Sequence, residues 1–324
     1  MIGIDLGGTN LRAARIGGDA DLGGTNLRAA RVGIDLREAA GRGSRVGDAI
    51  REVIGEPRDP ATIVERVAGV VERLADGGPV GIGIAGMLSD RRGTVANSPH
   101  LRWRDVPFGE LLAARLGDRY QLGVYNDVNA VVWGEAQAGA ARGCRDVLGV
   151  YVGTGIGGGV IAGGALVEGA TSCAGEIGHT KVRWDAGAAP CECGQKGCIE
   201  AYVGGTYLLR RIRAETGRDD TPGDVDRLAA AGDTWALGLW RELAPLFAIT
   251  LGNAVALLNP ERLVLGGGVL SRTPVLYRLV TEAMAETTNG PSWGPLSVVL
   301  AELGDDAGII GAAHLAASGT AVIT

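Results

Sequence analysis

Lysine is almost absent from this chain of 324 residues, because only Lys181 and Lys196 occur among its 31 basic residues. A P-loop requires a lysine directly after its glycine-rich loop, and a protein kinase requires a strand lysine that contacts the phosphates. Neither lysine stands in such a place. The sequence therefore excludes both classes, and if the protein binds a nucleotide, backbone amides and a metal ion must make most of the contacts with the phosphates.

Long apolar runs and clustered positive charge are also missing. The most apolar stretch, residues 243–258, contains Pro245, Thr250 and Asn253 and is shorter than the roughly 18 residues of a membrane span. The net charge of -6 disfavours a nucleic-acid surface, which needs clustered lysine and arginine. The N-terminal MIGID has no signal-peptide pattern. We expect a cytoplasmic protein without nucleic-acid or membrane partners.

Glycine, with 55 residues, clusters after short apolar runs, which is typical of strands that end in ligand-binding loops. Amphipathic patterns between these runs predict helices at residues 61–75, 106–116, 128–141, 201–215, 234–258, 274–286 and 307–317. We expect Asp305-Asp306 to cap the last of these helices. The alternation predicts an α/β fold.

The segment DLGGTNLRAAR occurs twice, at residues 5–15 and 21–31. Two copies are too few for a repeat architecture. Only the first copy follows an apolar strand pattern, whereas turn-forming residues precede the second. We therefore assign function to the first copy and expect the second to fill a hairpin or loop.

Two glycine turns are candidates for phosphate binding, although the first could be an ordinary hairpin and the second could belong to a dinucleotide-binding dehydrogenase. In the first, Gly7-Gly8 lets the backbone approach phosphate oxygens, Thr9 and Asn10 add donors, and Asp5 can hold magnesium. The second, residues 153–159, matches G-x-G-x-x-G, but a strand pattern follows it where a dinucleotide-binding fold requires a helix.

Asp127 stands where the strand pattern of residues 122–125 meets the helix pattern that follows. A carboxylate there can act as the base that phosphoryl transfer to a hydroxyl requires, with Asn126 as a sugar-hydroxyl partner. The residues alone leave open the alternative that Asp127 only caps the helix.

Three cysteines within eight residues, Cys191, Cys193 and Cys198, favour a thiolate metal site in a cytosolic chain. With His179 they would complete a closed tetrahedral zinc shell, which is structural. Three unrelated free thiols are the alternative, and Cys144 and Cys173 are expected to be packed thiols. The site would bring Glu176 and Glu200 into one region, where carboxylates suit sugar recognition, although surface charges are the commoner case.

Together these motifs resemble the ROK family of repressors and sugar kinases, and within it the bacterial glucokinases, from Met1 to about Ala317. The resemblance rests on DLGGTN, NDVNA, GTGIGGG, AGEIGHT, CECGQKGCIE, LGGGV and GDDAGIIGAA. It implies a two-lobed, actin/hexokinase-like (ribonuclease H-like) fold with ATP and sugar in the cleft between the lobes. The small lobe would comprise residues 1–125, completed by a C-terminal helix at 305–324, and the large lobe residues 126–304 with the zinc loop.

The resemblance also implies roles for individual residues, with Asp127 as the catalytic base. The residues implied to hold or lie near the sugar are Asn126, Glu176, His179, Glu200, Gly86 and Asn97. Those implied to bind Mg-ATP are Asp5, Gly7, Gly8, Thr9, Asn10, Thr154, Gly155 and Gly267, the last against the adenosine. The zinc ligands would be His179, Cys191, Cys193 and Cys198.

The implied activity is transfer of the γ-phosphoryl group of Mg-ATP to the 6-hydroxyl of glucose, the entry to glycolysis, by an enzyme that we expect to be a homodimer. Fructose, mannose, N-acetylglucosamine or N-acetylmannosamine are alternative substrates. A sugar-sensing repressor is a remote alternative, because such relatives carry a DNA-binding domain before the phosphate turn. A non-catalytic sugar-binding module is disfavoured by the two turns and Asp127.

Overall fold

The computed structural model of the protein describes residues 1–16, 49–319 and Ile323. The second DLGGTNLRAAR copy, at residues 21–31, lies outside the described residues, so the hairpin or loop expected there stays a prediction. The described strands are β1 (Ile2–Leu6), β2 (Asn10–Arg15), β3 (Ala49–Val53), β4 (Gly78–Ile84), β5 (Met87–Leu88), β6 (Val95–Ser98), β7 (Trp103–Val106), β8 (Tyr120–Asn126), β9 (Val147–Val152), β10 (Ile156–Ala162), β11 (Ala165–Leu166), β12 (Arg262–Gly266) and β13 (Ser297–Leu300). The described α-helices are α1 (Pro60–Leu74), α2 (Phe108–Leu116), α3 (Asp127–Ala138), α4 (Glu200–Val203), α5 (Gly205–Thr216), α6 (Pro222–Ala230), α7 (Thr234–Leu258), α8 (Gly267–Leu270), α9 (Pro274–Thr287), α10 (Gly290–Trp293) and α11 (Ala307–Ala317).

The chain divides into two compact units. Unit 1 comprises Met1–Gly143, Leu166–Ala174 and Glu302–Thr324, and unit 2 comprises Cys144–Ala165 and Gly175–Ala301. The predicted small lobe ended at residue 125, which would put α3 in the other lobe. In the structure α3 belongs to unit 1, where it packs on α11 and β4. The division into a small and a large lobe itself stays a prediction.

Each unit is built on a five-stranded sheet of the same design. The order is β3-β2-β1-β4-β8 in unit 1 and β11-β10-β9-β12-β13 in the second sheet. In unit 1, β1 and β2 form an antiparallel hairpin, and β1, β4 and β8 pair in parallel. In the second sheet, β9 and β10 form the hairpin, and β9, β12 and β13 pair in parallel. This is the ribonuclease H-like arrangement, and the predicted α/β fold class is confirmed.

Helix α11 packs unusually close to the sheet and to α3 of unit 1, because glycines face its backbone. A Cβ atom added at Gly81 would lie 1.8 Å from the carbonyl oxygen of Ala312, and one at Gly3 would lie 1.9 Å from that of Ile309. A Cβ on Gly311 would lie 1.7 Å from the oxygen of Ala130 in α3. These contacts explain how the C-terminal residues complete a unit that is mostly built from the first part of the chain.

Helix α7 is the one helix in the described part of the chain that is long and apolar enough to cross a membrane. Its side chains Trp240, Leu243 and Phe247 are fully buried, and the helix packs on α6 and α9. The helix expected at residues 234–258 is therefore present and partly buried, and its last turn exposes Leu257, which is 85% accessible, and Leu258.

Two local predictions were wrong. The helix expected over residues 201–215 is split into α4 and α5 at Gly204, which is extended. The side-chain cap expected from Asp305-Asp306 is replaced by a 3-10 turn, Gly304–Asp306, and Asp305 pairs instead with Arg12. A 3-10 turn therefore leads into α11 without a side-chain cap. The residue types alone do not distinguish these two ways of starting a helix.

We predict that Gly81→Ala destabilises unit 1 by at least about 2 kcal/mol, because the new methyl group would overlap a backbone carbonyl of α11 that cannot move alone. Gly69→Ala is the matched control, since its Cβ would meet nothing within 4 Å inside helix α1, and alanine there should stabilise by about 0.5–1 kcal/mol. Thermal unfolding of both variants tests this. Equal melting temperatures would contradict the packing described.

Candidate active site and metal centre

The parallel strands of unit 1 end together at one edge of the sheet. Leu6, Ile84 and Asn126 are register partners at the ends of β1, β4 and β8. The Nδ2 atom of Asn126 donates a hydrogen bond of 3.1 Å to the carbonyl oxygen of Gly86. A Cβ on Gly86 would lie 2.8 Å from the oxygen of Asn97. The fold therefore brings together four residues that the sequence analysis selected: Gly86, Asn97, Asn126 and Asp127.

Asn126, and not Asp127, caps helix α3. Its Oδ1 accepts hydrogen bonds from the amides of Val128 and Asn129, at 3.0 and 3.1 Å. The alternative that Asp127 is the N-cap is thus wrong. Asp127 is the first residue of the helix, where the positive end of the helix dipole favours a carboxylate. Asn126 keeps one further N–H with which to bind a ligand.

The first glycine turn joins β1 to β2 at the same edge. The amide of Gly7 donates to the carbonyl oxygen of Asn10 at 3.0 Å, which closes the turn around Gly8 and the exposed Thr9. A Cβ on Gly8 would lie 2.5 Å from the Cβ of His100, so a larger residue would displace the turn. Glycine at position 8 therefore lets the turn pack against His100.

Asp5 forms an ion pair that the sequence analysis missed. Both Nε and Nη2 of Arg12 donate to its Oδ2, and Nη1 of Arg12 lies 3.1 Å from Oδ2 of Asp305. Burial raises the pKa of Asp5, whereas the arginine lowers it. The sequence could have predicted this ion pair, because a hairpin closed by Gly7 and Asn10 places Asp5 opposite Arg12.

The second glycine turn, between β9 and β10 in unit 2, is supported by the start of α5. The amides of Gly205 and Thr206 donate to the carbonyl oxygens of Gly153 and Thr154, both at 2.9 Å. Gly267, after the neighbouring strand β12, has a φ of 89°, and a Cβ there would lie 2.4 Å from the oxygen of Val152. Thr154, Gly155 and Gly267 thus share one edge of the second sheet.

The four predicted metal ligands converge. The ligand atoms of His179, Cys191, Cys193 and Cys198 all lie within 4.8 Å of one another. The Sγ of Cys191 is 3.8 Å from Nδ1 of His179, and the sulfurs of Cys193 and Cys198 are 3.7 Å apart. Three thiols and one imidazole at this spacing fit a tetrahedral, thiophilic ion with no open coordination position.

Glycines shape the loop that carries the three thiols. Gly194 and Gly197 have φ values of 86° and 75°, in the left-handed region that other residues avoid. A Cβ on Gly197 would lie 1.6 Å from the carbonyl oxygen of Arg183. The chain reverses direction near Gly194, where the amide of Cys191 donates a hydrogen bond of 2.8 Å to the carbonyl oxygen of Gln195. The remaining cysteines, Cys144 and Cys173, are half-buried and lie outside the cluster.

Both predicted sugar-binding carboxylates adjoin this cluster. An Oε2 atom of Glu176 lies 3.7 Å from Nε2 of His179, and burial raises the pKa of Glu176. Oε1 of Glu200 is 3.7 Å from the sulfur of Cys191, while its Oε2 accepts a hydrogen bond of 2.8 Å from the amide of Ile156. Glu200 therefore connects the cysteine loop to the second glycine turn, a contact that the sequence analysis did not predict.

Comparison with known proteins shows the family of the chain. Residues 1–318 match the ROK family, and the chain belongs to that family. It is 33% identical over 283 residues to a glucokinase of Streptomyces coelicolor, covering 80% of this chain and 87% of that protein. It is 32% identical over 279 residues to an N-acetyl-D-glucosamine kinase of Photobacterium profundum, covering 82% and 90%. Its fold matches a crystal structure of a ROK family glucokinase from Streptomyces griseus in complex with glucose and AMPPNP, with a TM-score of 0.74, 30% identity, and coverage of 98% and 99%.

We predict that Gly155→Ala breaks the bond between Glu200 and the second glycine turn, because the added Cβ would lie 2.4 Å from Oε2 of Glu200. The amide of Ile156 should then exchange its hydrogen faster, which mass spectrometry of a peptide covering this turn can measure. Gly153→Ala is the control, since its Cβ would meet nothing within 4 Å. Unchanged exchange in Gly155→Ala would contradict the contact.

Proposed function

We propose that this protein is an ATP-dependent hexose kinase that phosphorylates the 6-hydroxyl of glucose, at the entry to glycolysis. The observation that carries the proposal is the position of Asp127, at the start of α3 and on the same sheet edge as the Gly7-Gly8 turn. A base and a phosphate-binding turn on one edge are the two parts that phosphoryl transfer to a hydroxyl needs. The similarity to glucokinases selects glucose among the hexoses.

In this mechanism Asp127 accepts the proton of the attacking hydroxyl, while the amides of the glycine turns stabilise charge on the phosphoryl oxygens. Thr9, Asn10 and Thr154 add hydrogen-bond donors for the phosphates, and Gly267 lies against the adenosine. Asp5 fits a magnesium site, because Arg12 bonds only its Oδ2 and leaves Oδ1 for a metal-bound water. Mg²⁺ held there would neutralise part of the charge on the phosphates.

The hexose hydroxyls are proposed to bind Asn126, Glu176, His179 and Glu200, with Gly86 and Asn97 close to the sugar. Ionised carboxylates accept hydrogen bonds from hydroxyls, so Glu176 and Glu200 can each hold one or two of them. Zinc, held by His179, Cys191, Cys193 and Cys198, would stabilise the loop on which both carboxylates depend.

We also propose that the enzyme is a cytoplasmic homodimer that binds no nucleic acid. The apolar side chains that α7 exposes, Ile249, Leu257 and Leu258, support self-association. The net charge of -6 supports the absence of a nucleic-acid partner.

Release of ADP measured across a panel of hexoses tests the function. The panel comprises glucose, fructose, mannose, N-acetylglucosamine and N-acetylmannosamine, each assayed with Mg²⁺ and with a chelator. We expect the highest kcat/KM for glucose and a loss of activity without Mg²⁺. A preference for N-acetylglucosamine would favour the second candidate, which the similarity to the Photobacterium kinase supports. No ADP release with any sugar would overturn the proposal.

We predict that Asp127→Asn lowers kcat at least about 100-fold, the usual effect of losing a general base, with little change in the melting temperature. The asparagine keeps the shape of the side chain but cannot accept the proton. Steady-state kinetics with glucose measures the effect. Asp118→Asn, at an exposed position of the same unit, is the control and should keep full activity. Near-normal turnover in Asp127→Asn would refute the assignment.

We predict that Cys193→Ser lowers the zinc content below one ion per chain and raises the KM for glucose. The reason is that the loop leading to Glu200 then loses the proposed zinc cross-link. Elemental analysis and kinetics on the same preparation measure both effects. Cys144→Ser removes a thiol outside the cluster and should change neither quantity. An unaltered KM in zinc-free protein would show that the metal does not support sugar binding.

A further inference from the structure

One of the two lysines of the chain lies against the proposed zinc centre. The Nζ atom of Lys181 donates a hydrogen bond of 2.9 Å to the Sγ atom of Cys198. Cys198 is fully buried, whereas the lysine is exposed to solvent apart from this contact. The ammonium group therefore reaches inward to a thiol that water does not reach.

The backbone fixes this contact. Lys181 and Cys198 are partners in an isolated antiparallel bridge. On either side of it, the amide of Ile199 donates to the oxygen of Thr180 at 3.0 Å, and that of Val182 donates to the oxygen of Gly197 at 2.9 Å. Directly opposed residues on paired strands have neighbouring side chains. The fold thus places the side chain of Lys181 next to that of Cys198.

The contact can balance the charge of the proposed zinc site. Three thiolates and a neutral imidazole around Zn²⁺ leave a net charge of minus one, in a site where Cys191 and Cys198 are buried. A lysine ammonium brings that sum to zero. Groups that hydrogen-bond to metal ligands orient them and tune the metal, and their loss typically costs about 10–100-fold in metal affinity.

We propose that Lys181 is a positioning residue of the zinc centre, which donates a charge-assisted hydrogen bond to the Cys198 thiolate and thereby strengthens zinc binding. This inference rests on the proposed zinc site. Because Lys181 contacts a proposed metal ligand, its effect on catalysis would be indirect.

The test compares Lys181→Met, Lys181→Arg and Lys196→Met in the full-length protein. Lys196 belongs to the same loop and is the only other lysine, so Lys196→Met is a matched loss of charge without loss of the bond to Cys198. Competition with a chelator measures the Kd for zinc. We expect about 10–100-fold weaker binding in Lys181→Met, partial or full rescue in Lys181→Arg, and no change in Lys196→Met.

Substitution of zinc by cobalt(II) supplies a spectroscopic readout. Removing a hydrogen bond from a thiolate raises the energy of its donor electrons, so the sulfur-to-cobalt charge-transfer band of Lys181→Met should move to longer wavelength. An unchanged zinc Kd and an unchanged band in Lys181→Met would overturn the inference, as would an equal effect in Lys196→Met. Failure of the unsubstituted protein to bind zinc would instead overturn the zinc site itself.

Discussion

The convergence of one imidazole and three thiols within 4.8 Å is the constraint on which the candidate sugar site of unit 2 depends. Between β11 and α4 the chain runs for more than thirty residues with only a 3-10 turn and two isolated bridges near the cysteines. A loop of this length has little order of its own. Its geometry must come from cross-links, and the zinc proposed to be held by these four side chains would supply one.

Glu200 links the cysteine loop to the second glycine turn. It is the first residue of α4, directly after the buried pair Cys198 and Ile199, and its carboxylate bonds the amide of Ile156 at the second glycine turn. The cysteine loop and the turn proposed to bind phosphate therefore share one side chain. In unit 1 the parallel ends of β1, β4 and β8 have the same role, because they align the Gly7-Gly8 turn with Asp127.

Much of the fold could be predicted from local pattern. The ends of α7 and α11 agree with the sequence analysis to the residue, because a helical period continues without interruption up to a polar residue. The short strands β5, β6 and β7 were not predicted. They have two to four residues each, and the burial of the four-residue strands β6 and β7 does not alternate, so no strand period could be read from them.

The site residues could be selected by motif, but their contacts could not. Asn126 as the helix cap and the pairing of Arg12 with Asp5 follow from local geometry and were within reach of the sequence. The bond between Glu200 and the amide of Ile156 joins residues 44 positions apart. The contact of Lys181 with Cys198 likewise requires a strand register that only the folded loop sets.

X-ray absorption at the zinc edge of the purified protein tests the central claim most directly. The account predicts one tightly bound zinc per chain, with three sulfur neighbours at about 2.3 Å and one nitrogen at about 2.0–2.1 Å. A shell dominated by oxygen, a shell with fewer than three sulfurs, or an active protein that contains no zinc would contradict it.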